Sequence, residues 1–177
     1  MSIATEPTTE QLIAGLYKVD SKAEIVGGRI VMMSPTGDMP SSAAIAIATR
    51  LREFARQFGG HAYADNVGFL FDLPNRKSFS PDAAYYTGPR ARMKFLNEAP
   101  IFAVEVRSEG DYGPSQRADY FAAGTKVVWD VDLLSDDVIR VYRADSPEQP
   151  QLYRRGETAE AESAAPGWKF LVDELFE

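Results

Sequence analysis

Two carboxylates stand where a buried strand would ordinarily avoid them. One is Asp82, in Ser80-Pro81-Asp82-Ala83-Ala84-Tyr85-Tyr86; the other is Glu105, in Ala103-Val104-Glu105-Val106-Arg107-Ser108. Each segment is otherwise an apolar, strand-like run, and an unpaired charge in such a core costs several kcal/mol. Two acids on strands that could be neighbours offer hard oxygen ligands on a rigid scaffold, which is what a Mg²⁺ site requires. Taken singly, Asp82 reads as a turn residue after Pro81, and Glu105 as a partly exposed strand residue. Their joint context raises the metal-site reading. Alternation with period two puts Glu105, Arg107 and Ala103 on one face of their strand and Val104 and Val106 on the other.

The elements that must position these acids follow from pattern and punctuation. After a polar start, Leu12, Ile13 and Leu16 give a short helix one apolar face. Residues 23–33 read as a β-hairpin turned by Gly27-Gly28, with Glu24 as an exposed residue of its first arm. Ser34 to Pro40 reads as a loop. A helix is expected over 41–58, its apolar side built from Ala44, Ile45, Ala48, Leu51, Phe54, Ala55 and Phe58, and Gly59-Gly60 ends it. Strands follow over 61–72 and, interrupted early by Pro81, over Phe79 to Tyr86. Ile101 to Arg107 is the cleanest core strand. A Gly-rich loop at 108–114 leads to a short helix, Ser115 to Ala123, with Ser115 as its cap. Lys126 to Asp132, Val138 to Tyr142 and Gln151 to Tyr153 read as further strands, and an acidic stretch, Glu157 to Ser163, precedes the C-terminal segment.

Bulk properties narrow the function classes. The chain has 177 residues, 45% hydrophobic and 25% charged, which suits one soluble domain over 1–177 with a sizeable core. There is no cysteine, so disulfides, zinc–thiolate sites and cysteine nucleophiles are excluded. No apolar run reaches the length of a membrane span and no signal peptide is expected, so a cytoplasmic location is the expectation. The net charge of −7 weighs against a broad nucleic-acid-coating surface but leaves room for a local cleft. The lone histidine, His61, follows Gly59-Gly60 and reads as a surface or edge residue.

The order of these segments resembles a known family. The stretches that carry the likeness are Gly27-Gly28-Arg29-Ile30 with Met33-Ser34-Pro35, Ser80-Pro81-Asp82, Val104-Glu105-Val106-Arg107-Ser108, Asp119 to Thr125, Val128-Trp129-Asp130-Val131-Asp132, and Pro166-Gly167-Trp168. Each is short; their order and spacing together are specific. The chain is similar to the Uma-type "putative restriction endonuclease" family, a former domain of unknown function within the PD-(D/E)XK nuclease superfamily. The resemblance implies an α/β (α+β) fold, a restriction-endonuclease-like mixed sheet flanked by helices. It implies Mg²⁺ or Mn²⁺ held by Asp82, Glu105 and a main-chain carbonyl near Val106, with Glu24 as a further acid. The reaction implied is hydrolysis of DNA phosphodiester bonds, and a homodimer is expected by analogy.

The resemblance also calls for a lysine. The superfamily position, two residues after Glu105, holds Arg107, which shares the acid's face and can clamp phosphate but makes a poor base. The Uma-type position, four residues before Tyr120, holds Gln116, with Arg117 next to it. Arg107, Arg117 or Lys126 could supply the cation, or the centre is degraded. Two outcomes therefore stay open: a Mg-dependent endodeoxyribonuclease, or a nuclease-like fold acting as a nucleic-acid- or protein-binding module.

Overall fold

A computed structural model of the chain describes residues 5–108, 114–135 and 137–177. Most of the Gly-rich loop read at 108–114, including Gly110-Asp111-Tyr112-Gly113, lies outside the described residues.

The first helix, α1 (Thr9–Leu16), begins at Thr8, whose hydroxyl accepts from the Gln11 amide while the Gln11 side chain accepts from the Thr8 amide. That reciprocal cap satisfies amides which the first helical turn leaves without partners. The hairpin β1 (Ala23–Val26) and β2 (Arg29–Met32) turns through Gly27 and Gly28, at φ of 56° and 72°, which glycine adopts without a Cβ penalty. Helix α2 (Asp38–Phe58) starts three residues before the expected position and takes in Pro40. A proline is tolerated in a first turn because its missing N–H would have no partner there. Its buried stripe is Ala43, Ala44, Ile47, Ala48, Leu51 and Phe54; Ile45 and Phe58, expected on that side, are exposed.

The centre of the molecule is a six-stranded sheet of β3 (His61–Ala64), β6 (Ala83–Tyr86), β7 (Phe102–Val106), β8 (Val127–Asp132), β9 (Val138–Arg143) and β10 (Ser146–Tyr153), in the order β10-β9-β8-β7-β6-β3. Only β7 and β8 run parallel. The strand expected over 61–72 divides into β3 and β4 (Phe69–Leu70), and the run from Phe79 divides into β5 (Ser78–Phe79) and β6; β4 and β5 form a separate small sheet. Pro81 lies at the second break, where it removes a ladder donor. His61 lies in β3, an edge strand.

Alternation along β7 and β8 divides the chemistry. Phe102, Val104 and Val106 pair in register with Val127, Trp129 and Val131 and pack against α2. The same side is closed by the hairpin of β11 (Thr158–Glu160) and β12 (Lys169–Leu171), by Trp168 and Phe170, and by a final 3₁₀ turn over Val172–Phe176. The acidic stretch at 157–163 thus contributes a strand. On the opposite side, α3 (Pro114–Ala122) covers Ala103 and Val128 through Tyr120, which stacks on Phe79 at 3.7 Å between ring centroids. Ser115, read as the cap, lies inside α3. Among the described residues no helix is long and apolar enough to cross a membrane.

Candidate functional site

Pro81 ends one strand segment and sets Asp82 one residue before β6. The Asp82 amide donates to the Val104 carbonyl at 3.0 Å, which aligns this residue with the end of β7. Its carboxylate then does what a strand would have done: Oδ2 accepts from the Val106 amide at 2.8 Å. In an extended strand a residue's N–H and C=O point to the same edge, so the Val106 carbonyl faces the Asp82 side. Glu105 leaves the α3 face of β7. It is buried, and Oε1 accepts from the Tyr120 hydroxyl at 2.5 Å and from Gln116 Nε2 at 3.3 Å. Among the described residues no hydrogen bond reaches its Oε2.

Both acids line one cleft of about 200 Å³, together with Val106, Gln116, Lys22 and Asp65. Burial pushes the Glu105 carboxyl well above the usual carboxylate range, and the charges of Asp82 and Glu24 push it further; Tyr120 and Lys22 oppose the shift. Burial and the neighbouring Glu105 charge likewise hold the Tyr120 phenol well above its ordinary value, so it stays a proton donor.

Lys22 was not among the residues singled out from the sequence. It sits at the foot of the hairpin, where its carbonyl accepts from the Met33 amide at 2.9 Å. Its Nζ donates to Asp65 Oδ1 at 2.6 Å and to Asp82 Oδ1 at 3.0 Å. Burial disfavours the ammonium, but Asp82, Asp65 and Glu105 outweigh burial and raise its pKa above the ordinary lysine value. The available signal was positional: Lys22 precedes Glu24 by two, so alternation puts both on one face of the hairpin arm. Asp65 follows β3 directly, and extending the β3–β6 register from Ala64↔Ala83 sets it opposite Asp82.

Glu24 is the clearest departure from expectation. It is 3% exposed rather than a surface residue. Oε2 accepts from Arg76 Nη1 at 2.5 Å and Oε1 from the Ser80 amide at 2.8 Å, and the residue does not line the cleft. Burial raises its pKa while Arg76 and the Ser80 amide pull it down. Arg76, itself buried, also donates from Nε to Asp119 Oδ2 at 2.9 Å and lies over the Phe79 ring. One guanidinium thereby ties the hairpin to α3, next to the residue that holds Glu105.

Arg107 shares the Glu105 face, as alternation requires, but its fork is directed at β8. Nε and Nη2 donate to Asp130 at 2.7 and 2.6 Å, and Nη1 lies 3.5 Å from Asp132. Asp130 is fully buried, and its hydrogen bonds hold the Arg107 pKa up. Register explains the direction: Glu105 pairs with Asp130 across β7 and β8. Of the other cations considered, Arg117 lies over the Tyr142 ring at 3.8 Å, and Lys126 lines a separate pocket with Arg143 and Glu162.

Among the described residues no group of three or more histidine, aspartate or glutamate side chains is placed to hold a metal ion. The cleft brings two carboxylates together beside a carbonyl. Mg²⁺ is commonly bound through one or two carboxylates while it keeps several waters, and a buried carboxylate oxygen without a donor suits such an ion.

A comparison with curated proteins finds no match. Among solved structures, the fold is similar to that of a protein from Anabaena variabilis ATCC 29413 described as "a putative nuclease belonging to DUF820". The TM-score is 0.74 over 93% of this chain and 97% of that one, at 16% identity, a likeness of fold. A family model described as "Putative restriction endonuclease" matches residues 10–173, and the chain belongs to that family, Uma2.

Proposed function

We propose that the chain is a metal-dependent endonuclease, a single domain that hydrolyses DNA phosphodiester bonds in the cytoplasm. Asp82, Glu105 and the Val106 carbonyl would hold Mg²⁺ or Mn²⁺. The observation that carries this reading is the convergence of Asp82 and Glu105 in one cleft, each fixed by donors from elsewhere in the fold. When bound, the ion would supply a water of lowered pKa and positive charge at the phosphate. The chain's own residues prepare the ligands. Tyr120 and Gln116 orient Glu105 from α3, and the Val106 amide orients Asp82. Glu24, holding the Ser80 amide, fixes the turn through Pro81 that delivers Asp82. Two copies about a two-fold axis would present two such clefts to the two DNA strands.

A second reading, a nuclease-like fold that binds nucleic acid or protein without cutting, is favoured by Gln116. It faces Glu105 at the position where the family resemblance calls for a lysine. One pair of measurements separates the two. Calorimetric titration with Mg²⁺ or Mn²⁺ is expected to detect a site that Asp82→Ala and Glu105→Ala abolish. Supercoiled plasmid is expected to be nicked with Mn²⁺ by the parent and by neither variant. A folded parent that binds no metal refutes the nuclease reading; metal binding without nicking supports the second.

A further inference from the structure

We infer that Lys22, which donates to both Asp82 and Asp65, is the cation that meets the negative charge of the scissile phosphodiester, and that Asp65 keeps it in the cleft once Asp82 holds a metal. The inference rests on the nuclease reading above. Among the described residues that line the cleft, Lys22 is the one positively charged side chain. Arg76 is buried between Glu24 and Asp119, and Arg107 engages Asp130 and Asp132, so each has its guanidinium directed at acids outside the cleft.

The two anchors of Lys22 differ in kind. Asp82 Oδ1, at 3.0 Å, belongs to a proposed metal ligand; Asp65 Oδ1, at 2.6 Å, does not. A metal at Asp82 competes with the ammonium for that oxygen alone, and Asp65 remains to hold the lysine. An ammonium carries three donors on a flexible stem, so it can keep Asp65 and still donate to a phosphate oxygen. Its base does not move with it, because the hairpin ladder fixes the Lys22 backbone to Met33. A purely structural ion pair would close the cleft and contribute nothing to turnover, and the two accounts predict different things.

The test compares the full-length parent with Lys22→Met, Lys22→Arg and Asp65→Asn. Three quantities are read: Mn²⁺ affinity by calorimetry, the rise in Tm on adding Mn²⁺, and single-turnover nicking of supercoiled plasmid at saturating Mn²⁺. In Lys22→Met the competing cation is gone, so Mn²⁺ is expected to bind at least as tightly as in the parent and to raise Tm by more. Nicking is expected to slow by roughly 10²-fold or more, the usual scale for losing one charge-stabilising group. Lys22→Arg is expected to recover part of the rate. Asp65→Asn, at an exposed position, retains Lys22 and the metal ligands but removes the charge that anchors the lysine, so slower nicking with unchanged Mn²⁺ affinity supports the inference even if Lys22→Met folds poorly. A Lys22→Met protein that nicks at the parental rate overturns it, and so does one that folds but no longer binds Mn²⁺. A parent that nicks while Lys22→Met is unaffected refutes Lys22 alone. A parent that binds Mn²⁺ but never nicks refutes the nuclease reading, and the role of Lys22 falls with it.

Discussion

Arg76→Met removes the guanidinium that joins the hairpin to α3 and keeps most of the apolar stem over Phe79. Arg76 is 8% exposed and Glu24 3%, so the bond between them is made away from water. Without Arg76, Glu24 keeps the Ser80 amide and loses its charge partner, while Asp119 loses the Nε donor. Removing one member of a buried ion pair costs about 3–5 kcal/mol, because the other charge stays behind uncompensated. At about 2–4 °C per kcal/mol for a chain of this size, Tm is expected to fall by roughly 6–20 °C. The loss depends on pH in a defined direction. Burial already raises the Glu24 pKa above its ordinary value of 4.5, and Arg76 is the strongest influence pulling it down. Deleting Arg76 lets it climb further. A carboxyl whose folded pKa is raised costs stability only as pH rises past its unfolded value, so the deficit is largest near neutrality and shrinks toward pH 4.5. Adding Glu24→Gln removes the stranded charge and is expected to restore the larger part of the loss. The assay is thermal unfolding of the parent, both single variants and the double variant across that pH range, with Mn²⁺ titration of Glu24→Gln. A loss under about 1 kcal/mol, or a double variant no better than Arg76→Met, refutes the reasoning. So does a folded Glu24→Gln that no longer binds Mn²⁺, which would make Glu24 a ligand instead of Arg76's partner.

Arg107→Met leaves the fully buried Asp130 with Arg140 Nη1 at 3.9 Å, and is expected to lower stability by up to about 3–5 kcal/mol in thermal melts; a variant of parental stability that has lost nicking would place Arg107 in the chemistry. Asp132 accepts from Arg140 and from the Leu134 and Ser135 amides, which outweigh burial and hold its pKa below the ordinary 3.8. A depressed carboxyl stabilises the fold above its unfolded pKa and loses that contribution as pH falls through the folded value. Asp132→Asn is therefore expected to cost about 1–3 kcal/mol by urea unfolding at neutral pH, and progressively less as pH falls below 3.8.

The parts of the fold that could be read in advance are those written in local pattern. The Gly27-Gly28 hairpin, the apolar stripe of α2 from Ala44 to Phe54 and the runs of β7, β8 and β9 each depend on residues within a few positions of one another. The convergence of Asp82 with Glu105 was legible because each acid interrupts an apolar run and Pro81 marks a break. What alternation cannot supply is the partner. It put Arg107 on the Glu105 face correctly, yet the guanidinium goes to Asp130, and that choice depends on the parallel register of β7 with β8. Glu24 looked exposed because its partner, Arg76, lies 52 residues further on, in a segment with the composition of a turn. Lys22 and Asp65 were invisible for a similar reason. Each flanks a strand, and only the assembled hairpin and the β3–β6 ladder bring them to Asp82.

Keeping Asp82 beside Glu105 runs against the rest of the core. The Asp82 charge disfavours charge on Glu105, and burial of Glu105 disfavours it further. Nothing within the pair offsets that repulsion, so the restoring force has to come from elsewhere. It comes from separate parts of the chain: the Tyr120 hydroxyl and Gln116 amide of α3, the Val106 amide at the end of β7, and the Lys22 ammonium at the hairpin foot. Two of these sources, α3 and the hairpin, are themselves joined by Arg76 through Asp119 and Glu24. A core selected for stability alone would replace both acids with apolar side chains of similar volume, because a buried polar network seldom outperforms good packing. Here an aromatic stack, a buried ion pair and three donor side chains are arranged around two acids that repel each other. A divalent cation held by both acids would reverse the sign of that interaction. That reversal is why the functional reading depends on the convergence of Asp82 and Glu105 and on neither acid alone.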